Sequence, residues 1–122
     1  AAPYVAKEDT YIDIKFLKEK KRYLESLCDV LVIEGAGGLM VPIEKDLFII
    51  DLIKEFESEA ILVTPSKLGC INDTLLSIEA LKSRNIDFEF YINLYQDKDS
   101  FEKVSKPFLV DYFDTLNFLN EL

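Results

Sequence analysis

The sequence predicts an α/β fold, a parallel sheet flanked by helices and incomplete at its N-terminal side. Three observations carry this. Short apolar runs at 30–34, 60–64 and 88–94 have the length and near-continuous hydrophobicity of strands covered on both faces. Segments with apolar residues at helical spacing alternate with them. All four glycines fall in the loops that follow the first two runs, and strand ends in open α/β sheets are where ligands bind.

The elements follow in order. Residues 12 to 27 carry Ile14, Leu17, Leu24 and Leu27 among lysines, the pattern of an amphipathic helix. Val30 to Ile33 form a continuous apolar run closed by Glu34, which reads as a buried parallel strand over 30–34. Leu47 to Phe56 has helical spacing and predicts a short helix, with Glu55, Glu57 and Glu59 as its solvated end. Ala60 to Thr64 is a second buried strand, ending in the turn cluster Pro65-Ser66-Lys67-Leu68-Gly69. From Asn72 to Arg84, Leu75, Leu76, Ile78, Ala80 and Leu81 recur at helical spacing, with Asn72 or Asp73 as N-cap and Arg84 in the last turn. Phe88 to Leu94 is a third strand, in which Phe88, Phe90 and Tyr91 are core and surface residues rather than a stacking platform. Phe108 to Tyr112 is read as a fourth strand and Thr115 to Leu122 as a terminal helix. This alternation predicts βαβ units, with an open sheet edge where N-terminal strands would pair.

Composition narrows the function. A chain of 122 residues allows one domain with a modest core. Its 49% apolar and 30% charged content excludes a disordered chain. The net charge of −9 argues against a nucleic-acid surface. It leaves a nucleotide open, because a local Mg²⁺ and backbone N–H groups hold phosphates on an acidic protein. No apolar run is long enough to span a bilayer. Cys28 and Cys70 are far apart with no C-x-x-C, which fits a reduced, cytoplasmic protein. Without histidine, a histidine base or histidine-ligated metal is excluded on this chain, and any metal is a hard ion on carboxylates, Mg²⁺ first. With no initiator Met, signal peptide or preceding strand at Ala1, residues 1–122 are expected to be the C-terminal part of a longer protein.

Two loops carry candidate chemistry. Glu34-Gly35-Ala36-Gly37-Gly38 places an acid that can hold a metal beside glycines that admit a phosphate to the backbone, half of a nucleotide site. The plainer alternative is a strand-end turn residue capping a neighbouring helix. No G-x-x-x-x-G-K-[ST] occurs, so the phosphate cradle and its lysine are not among these residues. Lys67 to Asn72 links a strand to a helix whose N-terminal N–H groups suit an anion such as a carboxylate. The alternative is an ordinary βα turn, in which Cys70 is a small buried hydrophobe rather than a nucleophile. Asn93, at the end of the third run, offers a donor and an acceptor to a purine edge; its alternative is a turn former.

Together these pieces resemble the dethiobiotin synthase family of P-loop NTPases. Glu34-Gly35-Ala36-Gly37-Gly38-Leu39-Met40-Val41-Pro42 is similar to that family's E-G-A-G-G-x-x-x-P signature, and Lys67-Leu68-Gly69-Cys70-Ile71-Asn72-Asp73-Thr74-Leu75-Leu76 to its K-L-G-C-I-N-H-T-L-L. Ala2-Pro3-Tyr4-Val5-Ala6 resembles its upstream S-P-H-x-A. The resemblance spans residues 2 to about 94 in order and spacing. It implies that residues 1–122 are the C-terminal part of a single ATP-dependent ligase domain. The implied reaction forms a carbamate from diaminopelargonate and CO₂, phosphorylates it with ATP and closes the ureido ring, which needs Mg²⁺ and positive charge around the γ-phosphate. Glu34 is then the Mg²⁺ ligand, and the backbone of Gly35, Ala36, Gly37 and Gly38 lies near the γ-phosphate and carbamate. Gly69, Cys70 and Asn72 bind the substrate's tail carboxylate across a homodimer interface, with Ala2 and Pro3 in a further substrate segment. Asn93 reads the adenine and Pro107 flanks the base. No catalytic side chain is assigned to these residues; the phosphate-loop lysine, a second lysine and a Mg²⁺-binding Asp fall in the preceding part. Asp73 stands where the family has His, and Ala2 and Tyr4 where it has Ser and His. Two other readings compete: another P-loop ligase or partitioning ATPase, such as a cobyrinate amidation enzyme, and a non-catalytic binding or assembly module.

Overall fold

In the computed structural model, which describes residues 1–122, the chain falls into two units, Ala1–Ser58 and Glu59–Leu122. The first begins with a single turn of helix, α1 (Pro3–Ala6), with Pro3 at its first position, where the missing N–H costs nothing. The amphipathic segment forms α2 (Ile14–Glu25), capped by Asp13, whose carboxylate accepts the Lys15 N–H at 2.9 Å. A hairpin follows, β1 (Pro42–Glu44) antiparallel to β2 (Leu47–Phe48), and then α3 (Asp51–Glu55). Glu44 ties the N-terminal segment down: its carboxylate accepts the Ile12 N–H at 2.7 Å and pairs with Lys7 at 3.1 Å.

Two expectations fail in this unit. The predicted strand over 30–34 is extended but unpaired, and no backbone hydrogen bond involves Val30 to Gly37. Val30 is 78% and Val32 85% exposed. The segment has a strand's composition, but a strand exists only where a neighbour completes its ladder, and nothing in this unit offers one. The helix predicted over 47–56 begins only at Asp51. The Asp51 carboxylate accepts the Phe48 N–H at 2.8 Å, and Leu47 and Phe48 are spent on the hairpin turned at Lys45 and Asp46.

The second unit is built on a parallel pair, β3 (Ala60–Pro65) beside β4 (Phe88–Asn93), in register from Ala60 opposite Phe88 to Pro65 opposite Asn93. The crossover is α4 (Cys70–Ser83), which buries Cys70, Thr74, Ile78 and Leu81 at helical spacing. Its end is a left-handed Asn85 (φ 54°), with Asn85 N–H donating to the Lys82 carbonyl and Ile86 N–H to that of Leu81. After β4 come α5 (Lys98–Ser100), a π-helical turn (Phe101–Ser105) and α6 (Lys106–Tyr112). Cys70, Ile92, Phe101 and Leu109 form the core, with Ile71, Phe90, Leu94, Phe113, Leu116 and Phe118 packed against it.

Three further corrections fall here. Neither Asn72 nor Asp73 caps α4; Gly69 holds that position, and both lie in the first turn. The strand expected at 108–112 is helix: Pro107 lies in the first turn of α6, Leu109 is buried, and Phe108 stacks on Tyr112 one turn away at 5.3 Å. The terminal helix over 115–122 is instead an extended stretch that ends in a 3₁₀ turn (Leu119–Glu121). Phe118 there forms a single parallel bridge to Ile92, whose N–H donates to the Asn117 carbonyl at 2.8 Å. No helix is long and apolar enough to cross a membrane.

Candidate functional site

In the first unit the candidate site is the loop from Glu34 to Gly38. Its downstream end is fixed: Val41 N–H donates to the Gly38 carbonyl at 3.1 Å, Ile50 to Leu39 at 2.9 Å and Ile49 to Val41 at 3.0 Å. That anchoring presses the loop against its own hairpin. A Cβ on Gly35 would lie 2.6 Å from the Ile49 Cγ2 methyl. Gly37 holds φ 88°, and a Cβ there would lie 3.0 Å from Val41 Cγ2. So the glycines at 35 and 37 are required by packing and backbone shape. None of the N–H groups of Gly35, Ala36, Gly37 or Gly38 donates to a backbone acceptor. The Glu34 carboxylate beside them is exposed. An exposed acid next to a run of uncommitted N–H donors suits a phosphate–metal pair: the donors face the phosphate oxygens and the acid takes the cation. No three acidic, Cys or His groups gather into an all-protein cage. One exposed carboxylate is compatible with a hard ion such as Mg²⁺, which takes one or two carboxylates and otherwise water and phosphate. Ala2 and Pro3 sit at the start of α1, where the Ala2 carbonyl accepts from Val5 and Ala6.

In the second unit the other candidates meet at one end of the parallel pair. Gly69 is left-handed (φ 92°) and turns the chain from β3 into α4. The Cys70 side chain is only 2% exposed and belongs to the core, and its N–H donates to the Lys67 carbonyl at 3.0 Å. The Cys70 thiol is therefore part of the core and not of an exposed surface. The N–H groups of Ile71 and Asn72 have no backbone acceptor and are the donors this turn presents. Asn72 is exposed, and its amide donates to Asp73 at 3.3 Å. Asn93 ends β4 directly opposite Pro65, so the strand pairing itself brings it to the same end as this turn. Pro107 is exposed in the first turn of α6.

One contact here lay outside the sequence reading. Ser66 is 1% exposed, and its hydroxyl donates to the Gln96 carbonyl at 2.5 Å, thirty residues away. A serine in a turn cluster carries no sequence signal of burial; the pairing of the two strands creates it.

An α/β unit with a helix N-terminus beside its strand ends is a nucleotide-binding class of architecture. Residues 2–109 match the model of the AAA domain family, and the chain belongs to that family. It is similar to proteins named ATP-dependent dethiobiotin synthetase. That of a Sulfurovum species is 58% identical over 108 residues, covering 88% of this chain and 51% of the relative. That of Wolinella succinogenes is 41% identical over 111 residues, with 88% and 51% covered. That of Thermodesulfovibrio yellowstonii is 36% identical over 138 residues, with 99% and 58% covered. The chain thus spans about half the length of the curated relatives it matches.

Proposed function

We propose that this chain is part of an ATP-dependent dethiobiotin synthetase, a ligase of biotin synthesis that closes diaminopelargonate and CO₂ into dethiobiotin. The observation that carries the reading is the 58% identity to a relative of that name over 108 residues that include both candidate loops. Residues 1–122 would belong to a single ligase domain, and the phosphate-binding loop would come from sequence outside them. Glu34 would hold Mg²⁺, which when bound supplies positive charge to the phosphates. The N–H groups from Gly35 to Gly38 would face the γ-phosphate and the carbamate, as donors already oriented where charge develops. Ile71 and Asn72 would receive the tail carboxylate of the substrate on the N-terminus of α4, with Gly69 shaping that turn. Ala2 and Pro3 would line the substrate, Asn93 would read adenine, and Pro107 would flank the base. The Gly69–Asn72 turn would work across the interface of a cytoplasmic homodimer.

The test is dethiobiotin formation by the full-length protein supplied with diaminopelargonate, bicarbonate, Mg²⁺ and ATP, followed by mass spectrometry with ADP measured in parallel. One ADP per dethiobiotin is expected. ATP turnover with no ring closure would refute the assignment.

A further inference from the structure

We infer that Ser66 is a positioning residue for the nucleotide base: its hydroxyl locks the loop after β4 onto the loop after β3 and so fixes where Asn93 presents its amide. The inference rests on the proposal that Asn93 reads adenine. The argument begins at the end of the strand ladder. The last register pair is Pro65 opposite Asn93, and Pro65 has no N–H to donate. The ladder thus ends at the pair that includes Asn93. One residue later the buried Ser66 hydroxyl supplies a donor, to the Gln96 carbonyl at 2.5 Å. Gln96 follows Asn93 by three residues, across a tight turn. The Tyr95 N–H donates to the Asn93 carbonyl at 3.1 Å, and Asp97 closes the turn in the left-handed region (φ 49°), its carbonyl accepting the Phe101 N–H at 2.8 Å. Holding Gln96 thus holds Asn93.

The same geometry separates positioning from mere stability. Gln96 is exposed. Without the Ser66 hydroxyl its carbonyl can turn to water, so the loop shifts while the core of Cys70, Ile92, Phe101 and Leu109 keeps its contacts. Loss of Ser66 should therefore appear in base recognition before it appears in folding.

The experiment compares Ser66→Ala, Asn93→Ala and the double variant in the full-length enzyme. Ser66→Ala is expected to raise KM for ATP about tenfold, with kcat and KM for diaminopelargonate within about twofold of the parent. The preference for ATP over GTP should fall by a similar factor, and the Tyr95 amide, which donates to the Asn93 carbonyl, should exchange hydrogen faster at unchanged Tm. Because Ser66 acts through Asn93, the double variant should bind ATP no worse than Asn93→Ala. A raised KM in Asn93→Ala with none in Ser66→Ala overturns the inference and leaves the base-reading proposal standing. No effect of Asn93→Ala on ATP or on base preference overturns that proposal and the inference with it. A joint fall of kcat, both substrate affinities and Tm in Ser66→Ala means the residue only stabilises the fold, and also overturns the inference.

Discussion

The sharpest consequence of the second loop concerns Gly69. It holds φ 92° and ψ −5° at the head of α4, and a Cβ built on it meets nothing within 4 Å. Any cost of Gly69→Ala is therefore a backbone cost and not a clash. An L-residue forced into left-handed conformation loses roughly 1–2 kcal/mol. Gly38 is the matched control: its Cβ also meets nothing, but it carries no positive φ. There an alanine restricts the unfolded chain and gains roughly 0.4–1 kcal/mol. The two variants should differ by roughly 1.4–3 kcal/mol in urea unfolding of the full-length enzyme, followed by far-UV circular dichroism. Gly69→Asn should recover part of the loss, because Asn tolerates the left-handed region. If the turn docks the substrate's tail, Gly69→Ala also raises KM for diaminopelargonate more than KM for ATP. A Gly69→Ala variant as stable as the parent would falsify the conformational argument, whatever its kinetics.

Two further expectations follow from named groups. Glu34→Gln keeps the shape of an exposed side chain but removes its charge; in the full-length enzyme the fold should persist while turnover falls on the order of a hundredfold, and near-parental turnover at limiting Mg²⁺ would assign Glu34 no metal role. The Ile12 N–H bond to Glu44, with Lys7 beside it, outweighs partial burial and holds that carboxyl below its ordinary 4.5. A lowered folded pKa stabilises fully above the ordinary value and loses its contribution as pH falls through the folded one. From about pH 5 downward the parent's urea midpoint should therefore drop more steeply than that of Glu44→Gln; parallel curves would contradict the pairing.

Periodicity located several elements, although not always the burial it implied: the 14–25 helix forms with no buried residue, and Leu24 is 47% and Leu27 65% exposed. The helix of residues 14–25, the strands at 60–65 and 88–93 and the helix between them all form, but the strand at 60–65 is not buried on both faces as expected: Ile61 is 63% and Val63 45% exposed. The errors have separate causes. Val30 to Ile33 have strand composition, but composition cannot supply a neighbouring strand. Leu47 to Phe56 mixes two elements, because the Asp51 carboxylate captures the Phe48 N–H and stops the helix there. Phe108 to Tyr112 looks like a strand through its aromatic and β-branched residues, yet Pro107 sits in the first turn of a helix and Leu109 faces the core. The loops were legible because glycine is scarce here, and Gly35, Gly37 and Gly69 are each placed by a backbone or packing need. Ser66 was not, because its burial arises from two segments thirty residues apart.

The extended, unpaired segment from Val30 to Ile33 also bears on how residues 1–122 would behave if released on their own into crowded solution. Four consecutive apolar, mostly β-branched residues, extended and unpaired, make a template for intermolecular cross-strand association. Asp29 and Glu34 bracket them with a carboxylate on each side, and the chain as a whole carries −9. Those acids serve as gatekeepers: two copies that align their Val30–Ile33 segments bring like charges together at both ends. Their protection is electrostatic, so it weakens as added salt shortens the range of repulsion. In residues 1–122 on their own, neutralising Glu34 would remove one of the two carboxylates that bracket this segment.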